Sequence, residues 1–128
     1  MEKRIYYHDT DAGGVVYYGR YLNYLEEART EFLERTGFTV KALHEKGFLY
    51  AVRKCSVTYL SPARYGDILI CDCKLEKLTA AQMFFKQTIV EKETKRPILE
   101  ADVVLVSLTI DFKPTAIPEE VREKLSKE

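Results

Sequence analysis

Residues 6–36 read Tyr-Tyr-His-Asp-Thr-Asp-Ala-Gly-Gly-Val-Val-Tyr-Tyr-Gly-Arg-Tyr-Leu-Asn-Tyr-Leu-Glu-Glu-Ala-Arg-Thr-Glu-Phe-Leu-Glu-Arg-Thr, a polar glycine-bearing turn that runs directly into a helical pattern. Tyr21, Tyr24, Leu25, Ala28 and Phe32 recur at three- and four-residue spacing, while Glu26, Glu27, Arg29, Glu31 and Arg35 mostly fall on other faces. That spacing predicts a long helix over residues 19–36. Gly37 followed by Phe38 reads as a left-handed stop with its hydrophobic contact. Thr39 then caps a shorter helix that runs through Lys46 and ends at Gly47.

On either side of this helical block the periodicity changes to strands. Before it, Arg4 to Tyr7 is a short apolar and aromatic segment. After it, Cys55, Val57 and Tyr59 alternate with Lys54, Ser56 and Thr58, and Leu69, Cys71, Cys73 and Leu75 share a parity opposite Ile68 and Ile70. Residues 61–67, with Pro62 and Gly66, connect these runs. Two further strands are expected over residues 83–92 and 98–112. The last is apolar on both parities around Val103 to Val106, which predicts a strand covered on both faces. Ile117-Pro118-Glu119-Glu120 opens a short C-terminal helix with Pro118 at its first position. One strand, a long helix and a meander of strands make an α+β layout in a single domain over residues 1–128, with the helix packed on an antiparallel sheet.

Composition narrows the function. Twenty basic and twenty acidic side chains cancel, so no global field draws the chain to nucleic acid or an anionic membrane. No segment approaches the ~20 apolar residues that span a bilayer, and no signal-like start precedes the first strand; the expected location is cytoplasmic. The three cysteines, Cys55, Cys71 and Cys73, all sit in strand-like sequence as small hydrophobes, and the Cys71-x-Cys73 pair has no second ligand pair nearby, so neither a disulfide framework nor a metal site is expected.

The chemistry concentrates in the turn. Asp9-Thr10-Asp11 is followed by Gly13-Gly14, which allow a sharp turn or a close approach to a ligand, and then by a helix start with unpaired N–H groups and a favourable dipole. A carboxylate and a set of donors for a developing oxyanion thus come into one neighbourhood, as thioester hydrolysis requires. A Ser-His-Asp site is poorly supported, with His8 and His44 the two histidines and no Gly-x-Ser-x-Gly turn present. The spacing alone leaves an alternative open, in which Asp9 or Asp11 merely bonds nearby backbone N–H groups to shape the turn. His8 reads as a surface residue, and Glu26 with Arg29 as an ion pair on one helix. Tyr21 and Tyr24 belong to the core stripe.

These residues resemble the 4-hydroxybenzoyl-CoA thioesterase family of hot-dog proteins, especially its Tol-Pal-associated acyl-CoA thioesterase branch. The matching pattern is Tyr7, Asp9-Thr10-Asp11, Gly13-Gly14, Val15-Val16-Tyr17, Tyr21 and Glu26 to Arg29, with further similarity at Tyr59 to Asp67, at Glu100-Ala101 through Lys113-Pro114 and at Ile117-Pro118. The resemblance implies a sheet wrapped around the long helix and sites between paired subunits, in a homodimer or homotetramer. It implies acyl-CoA as substrate, CoA entering only as part of it, with no separate cofactor. It places the attacking or base-forming carboxylate on Asp11 and the oxyanion donor at the backbone N–H near Tyr18, with Gly14 and Val15 lining the turn. Tyr7, Tyr17 and Arg64 are expected on the substrate side.

Two departures stand out. Tyr18 occupies a position where the Tol-Pal branch often carries a catalytic His, and a phenol of reference pKa ~10 is no neutral-pH base, so Asp11 must carry more of the reaction. Residues 78–82 lack the basic cluster some members use for the nucleotide of CoA, leaving Arg53, Lys54, Arg64 or Lys86 as phosphate contacts. A non-catalytic hot-dog protein that binds acyl thioesters or serves as a scaffold is the competing expectation.

Overall fold

The computed structural model describes residues 1–127. Its elements run β1 (Glu2–Arg4), a 3-10 turn (Tyr7–Asp9), α1 (Arg20–Arg35), α2 (Val40–Glu45), β2 (Phe48–Tyr59), β3 (Ile68–Leu78), β4 (Gln82–Glu91), β5 (Pro97–Thr109) and α3 (Glu119–Leu125). The strands form one antiparallel sheet in the order β1-β3-β4-β5-β2. Register shifts at Val52/Lys54, Leu75/Lys77 and Ile89/Val90 interrupt three of its ladders, and such irregularities bend a strand and sharpen its twist.

The helix forms where its apolar stripe demands. Tyr21, Tyr24, Leu25, Ala28, Phe32 and Leu33 are all buried against the inner face of the sheet, which supplies Leu69, Cys71, Met83, Phe85, Ala101, Val103 and Leu105. Phe32 meets Phe85 edge-on at 5.6 Å. Gly37 ends the helix at φ 101° and Phe38 packs partly against the core. The Thr39 hydroxyl accepts the Ala42 N–H at 3.0 Å, capping α2 as its position in the sequence indicates.

Four expectations need correction. Val104 and Val106 are only half-buried, so β5 is covered fully on its inner face and partly on its outer one. Cys55 is exposed rather than a small core hydrophobe, because β2 lies at the sheet's edge and pairs with β5 alone. Pro118 is the residue just before α3, in extended geometry, not its first helical residue. Glu26 and Arg29 form no ion pair: Arg29 is drawn inward to Gln87, and Glu26 accepts instead from Thr30 on the exposed face.

Candidate functional site

The turn between β1 and α1 is held by backbone pairing that its glycines make possible. Asp11 N–H donates to Val15 O at 2.9 Å and Gly14 N–H to Asp11 O at 3.0 Å, with Gly14 at φ 77°. A side chain would strain that left-handed geometry. Thr10 bridges to Val16 and Val15 to Arg64, while Val16 N–H donates to Ala63 O at 2.9 Å. The turn is thereby stitched to the connection between β2 and β3, which is how Arg64, distant in sequence, comes to lie beside Gly14 and Val15.

Asp11 is exposed at the tip, its Oδ1 accepting the Gly13 N–H at 2.8 Å. The start of α1 lies nine residues on. There Tyr17 N–H is taken by Asp9 O at 3.2 Å and Arg20 N–H by Tyr17 O at 2.9 Å, whereas the N–H groups of Tyr18 and Gly19 meet no acceptor among the described residues. Gly19, the residue flanking the helix, brings no side-chain cap. Free N–H groups at the positive end of a helix are suited to a developing negative oxygen.

Two concavities flank this helix start. One, about 340 Å³, is lined by Val16, Tyr18, Tyr21, Tyr59, Leu60, Ser61 and Pro62; the other, about 400 Å³, by His8, Asp9, Tyr17, Gly19, Arg20 and Asn23. Asp11 lies outside both linings. Tyr18 is 64% exposed, Tyr17 packs on it with ring centres 4.8 Å apart, and Tyr7, 80% exposed, meets Tyr65 edge-on. His8 is an exposed turn residue beside Asp9.

Sequence reasoning passed over two residues. Tyr59, from the far end of β2, donates its hydroxyl to Tyr18 O at 3.2 Å and stacks obliquely on Tyr21, closing the smaller concavity. Its strand alternation showed a face but no partner. Asp9, weighed as one of the turn's acid-base side chains or as a turn former but given no role of its own, is 3% exposed beneath the turn. Burial, the largest single influence, would raise the Asp9 pKa, but the Tyr6 N–H at 2.9 Å and the weaker influences that add to it together hold the carboxyl below its ordinary range. The Tyr24 hydroxyl, His8 and Lys3 act in the same direction, although the Tyr24 geometry falls short of a hydrogen bond.

A long helix cradled by a curled antiparallel sheet, with a glycine turn leading into its start, defines a hot-dog protein. Residues 6–125 match the thioesterase-like superfamily; the chain belongs to that superfamily and is a thioester hydrolase. It is 38% identical over 119 residues to the acyl-CoA thioester hydrolase YbgC of Escherichia coli O6:H1, covering 92% of this chain and 88% of that one. It is 35% identical over 120 residues to the acyl-CoA thioesterase YbgC of Haemophilus influenzae, covering 93% and 88%. Among solved structures, the probable thioesterase from Bartonella henselae superposes with a TM-score of 0.87 at 31% identity, over 92% of this chain and 97% of that one. No helix is long and apolar enough to cross a membrane among the described residues.

Proposed function

We propose that this protein hydrolyses acyl-CoA thioesters to the free acid and CoA, with Asp11 attacking the carbonyl carbon or activating the water that does, and the Tyr18 N–H holding the oxygen as it becomes negative. The observation that carries this reading is the pairing of an exposed carboxylate on a backbone-locked turn with unclaimed N–H groups at the helix start that follows. The relatives named acyl-CoA thioester hydrolases at 35–38% identity support the same substrate class. Thiolate leaves readily, so the site needs a positioned nucleophile or base and an oxyanion site more than a strong acid.

On this reading Gly14, Val15, Tyr7 and Tyr17 line the entry of the thioester. Arg64, exposed and bridged to Val15, meets the phosphates of CoA. No metal or redox cofactor takes part. With Tyr18 in place of a His, the site is closer to the 4-hydroxybenzoyl-CoA branch of the superfamily in mechanism, and to the Tol-Pal-associated branch in overall sequence pattern. The protein works in the cytoplasm. The twelve-residue strand β2 presents its outer edge without a partner among the described residues and exposes Val52, a surface that invites pairing with another strand; two copies joined there, and two such dimers together, give the homodimer or homotetramer that places sites at subunit borders.

One observation favours a second reading. The Asp11 carboxylate already accepts the Gly13 N–H, as a purely turn-forming aspartate would, and a protein that binds acyl thioesters without cleaving them would retain that bond. Free-thiol release from short aliphatic, long aliphatic and aromatic acyl-CoAs, with wild type and Asp11→Asn side by side, separates the two. Hydrolysis that collapses in the variant while acyl-CoA still binds supports the enzyme; binding without release by the wild type across the panel makes it the binding protein.

A further inference from the structure

The geometry points to Asp9 as the positioning residue that makes the Tyr18 N–H the free donor at the helix start, an inference that rests on the proposed thioesterase reading. Asp9 reaches both sides of the catalytic turn. Its backbone oxygen consumes the Tyr17 N–H at 3.2 Å, so the next N–H along the chain, that of Tyr18, is the first left unclaimed. Its carboxylate sits 3% exposed beneath the turn, where Oδ2 accepts the Tyr6 N–H at 2.9 Å and Oδ1 lies 3.5 Å from Arg20 Nε.

Arg20, the first residue of α1, completes the clasp by donating from its terminal nitrogen to His8 O at 3.1 Å. The 3-10 turn before Asp11 and the helix after Tyr18 are therefore tied together at the base of the loop, while the exposed residues 11–14 project from it. A carboxylate serves here better than a neutral residue, because one partner is a guanidinium charge and the other a backbone N–H that donates, and because charged acceptors hold such groups more firmly. Burial of the carboxylate concentrates the effect, since water competes little at the Asp9 end of each contact even though Arg20 is half-exposed. Asp9 itself lines the concavity with His8, Tyr17, Gly19, Arg20 and Asn23 rather than the one that holds Tyr18, which separates it from the reacting atoms.

The test compares Asp9→Ala, Asp9→Asn and Arg20→Ala with the wild type by two readouts. In steady-state thiol release, Asp9→Ala lowers kcat roughly 10²-fold, the scale expected when a reacting geometry slips by about 1 Å, while KM stays within about threefold. Asp9→Asn, whose amide oxygen still accepts from Tyr6, recovers part of that loss, and Arg20→Ala, a change at a half-exposed side chain, gives a smaller fall of the same kind. In hydrogen exchange, the Tyr17 amide loses protection in Asp9→Ala and Arg20→Ala while the amides of β4 keep theirs. Unchanged Tyr17 protection, or an unchanged kcat in folded Asp9→Ala, overturns the inference; so does an Asp9→Asn as inactive as the alanine variant with Tyr17 still protected, which would make Asp9 a reacting group. Should Asp9→Ala fail to fold, Asp9→Asn and Arg20→Ala decide. A wild type that releases no thiol defeats the thioesterase reading, and the exchange experiment still judges the clasp.

Discussion

The Arg29 guanidinium, 8% exposed on the inner face of α1, meets not a carboxylate but the amide oxygen of Gln87, at 3.1 Å. Gln87 is fully buried on β4 and is itself held in orientation by donating to Leu25 O at 2.9 Å. A buried charge that relies on a neutral partner has little to spare. Burial draws the Arg29 pKa down from its ordinary value, though a guanidinium remains charged in any protein interior. Gln87→Leu removes the partner and leaves the charge, which should cost roughly 2–4 kcal/mol. Adding Arg29→Met to that background should restore most of the loss. Urea denaturation of the single and double variants is the check; a double variant less stable than the single would show that the charge itself is needed in the fold.

Tyr18 enters the proposed mechanism through its backbone. Tyr18→Phe keeps the N–H and removes only the hydroxyl, which lies beside that of Tyr17. Its kcat for thiol release should therefore remain within about threefold of wild type. A loss approaching the ~10²–10³-fold typical of removing an oxyanion donor would instead make the phenol a participant.

Glu91 should contribute to stability on the acid side. At the turn from β4 to β5 its carboxylate accepts the Thr94 N–H and hydroxyl, each at 2.7 Å, and the Glu93 N–H at 3.2 Å, and these bonds hold its pKa below the ordinary value. A carboxyl depressed on folding stabilises above its unfolded pKa, about 4.3, and that contribution is lost as pH falls through the lower folded value. Glu91→Gln should therefore lower Tm at pH 7 and flatten the fall of Tm between pH 5 and 3. An acid limb as steep in the variant as in wild type would place the titrating group elsewhere, with Asp9, also depressed, as the next to test.

Much of the architecture was legible in the chain, because each legible feature is local. The 3.6-residue spacing of Tyr21, Tyr24, Leu25, Ala28 and Phe32 needs no knowledge of what the helix packs on, and Gly37, Thr39 and Gly47 act on the dihedrals of their own neighbourhoods. The parity of Leu69, Cys71 and Cys73 likewise survived as an inner face. Arg29 was misjudged for the opposite reason. Its helix neighbour Glu26 is visible in sequence, but Gln87, 58 positions away, is not, and a buried amide outcompeted an exposed carboxylate once the sheet was in place.

The candidate site divides along the same line. By itself the sequence determined that a carboxylate pair, two glycines and a helix start follow one another, since chain connectivity keeps residues 9–20 together whatever the fold. Only the tertiary structure decided that Asp9 is buried and Asp11 exposed, that Arg64 lies against Val15, and that Tyr59 reaches Tyr18 from the end of β2. Those outcomes depend on which surfaces the sheet and helix leave open to water, and no local pattern encodes that choice.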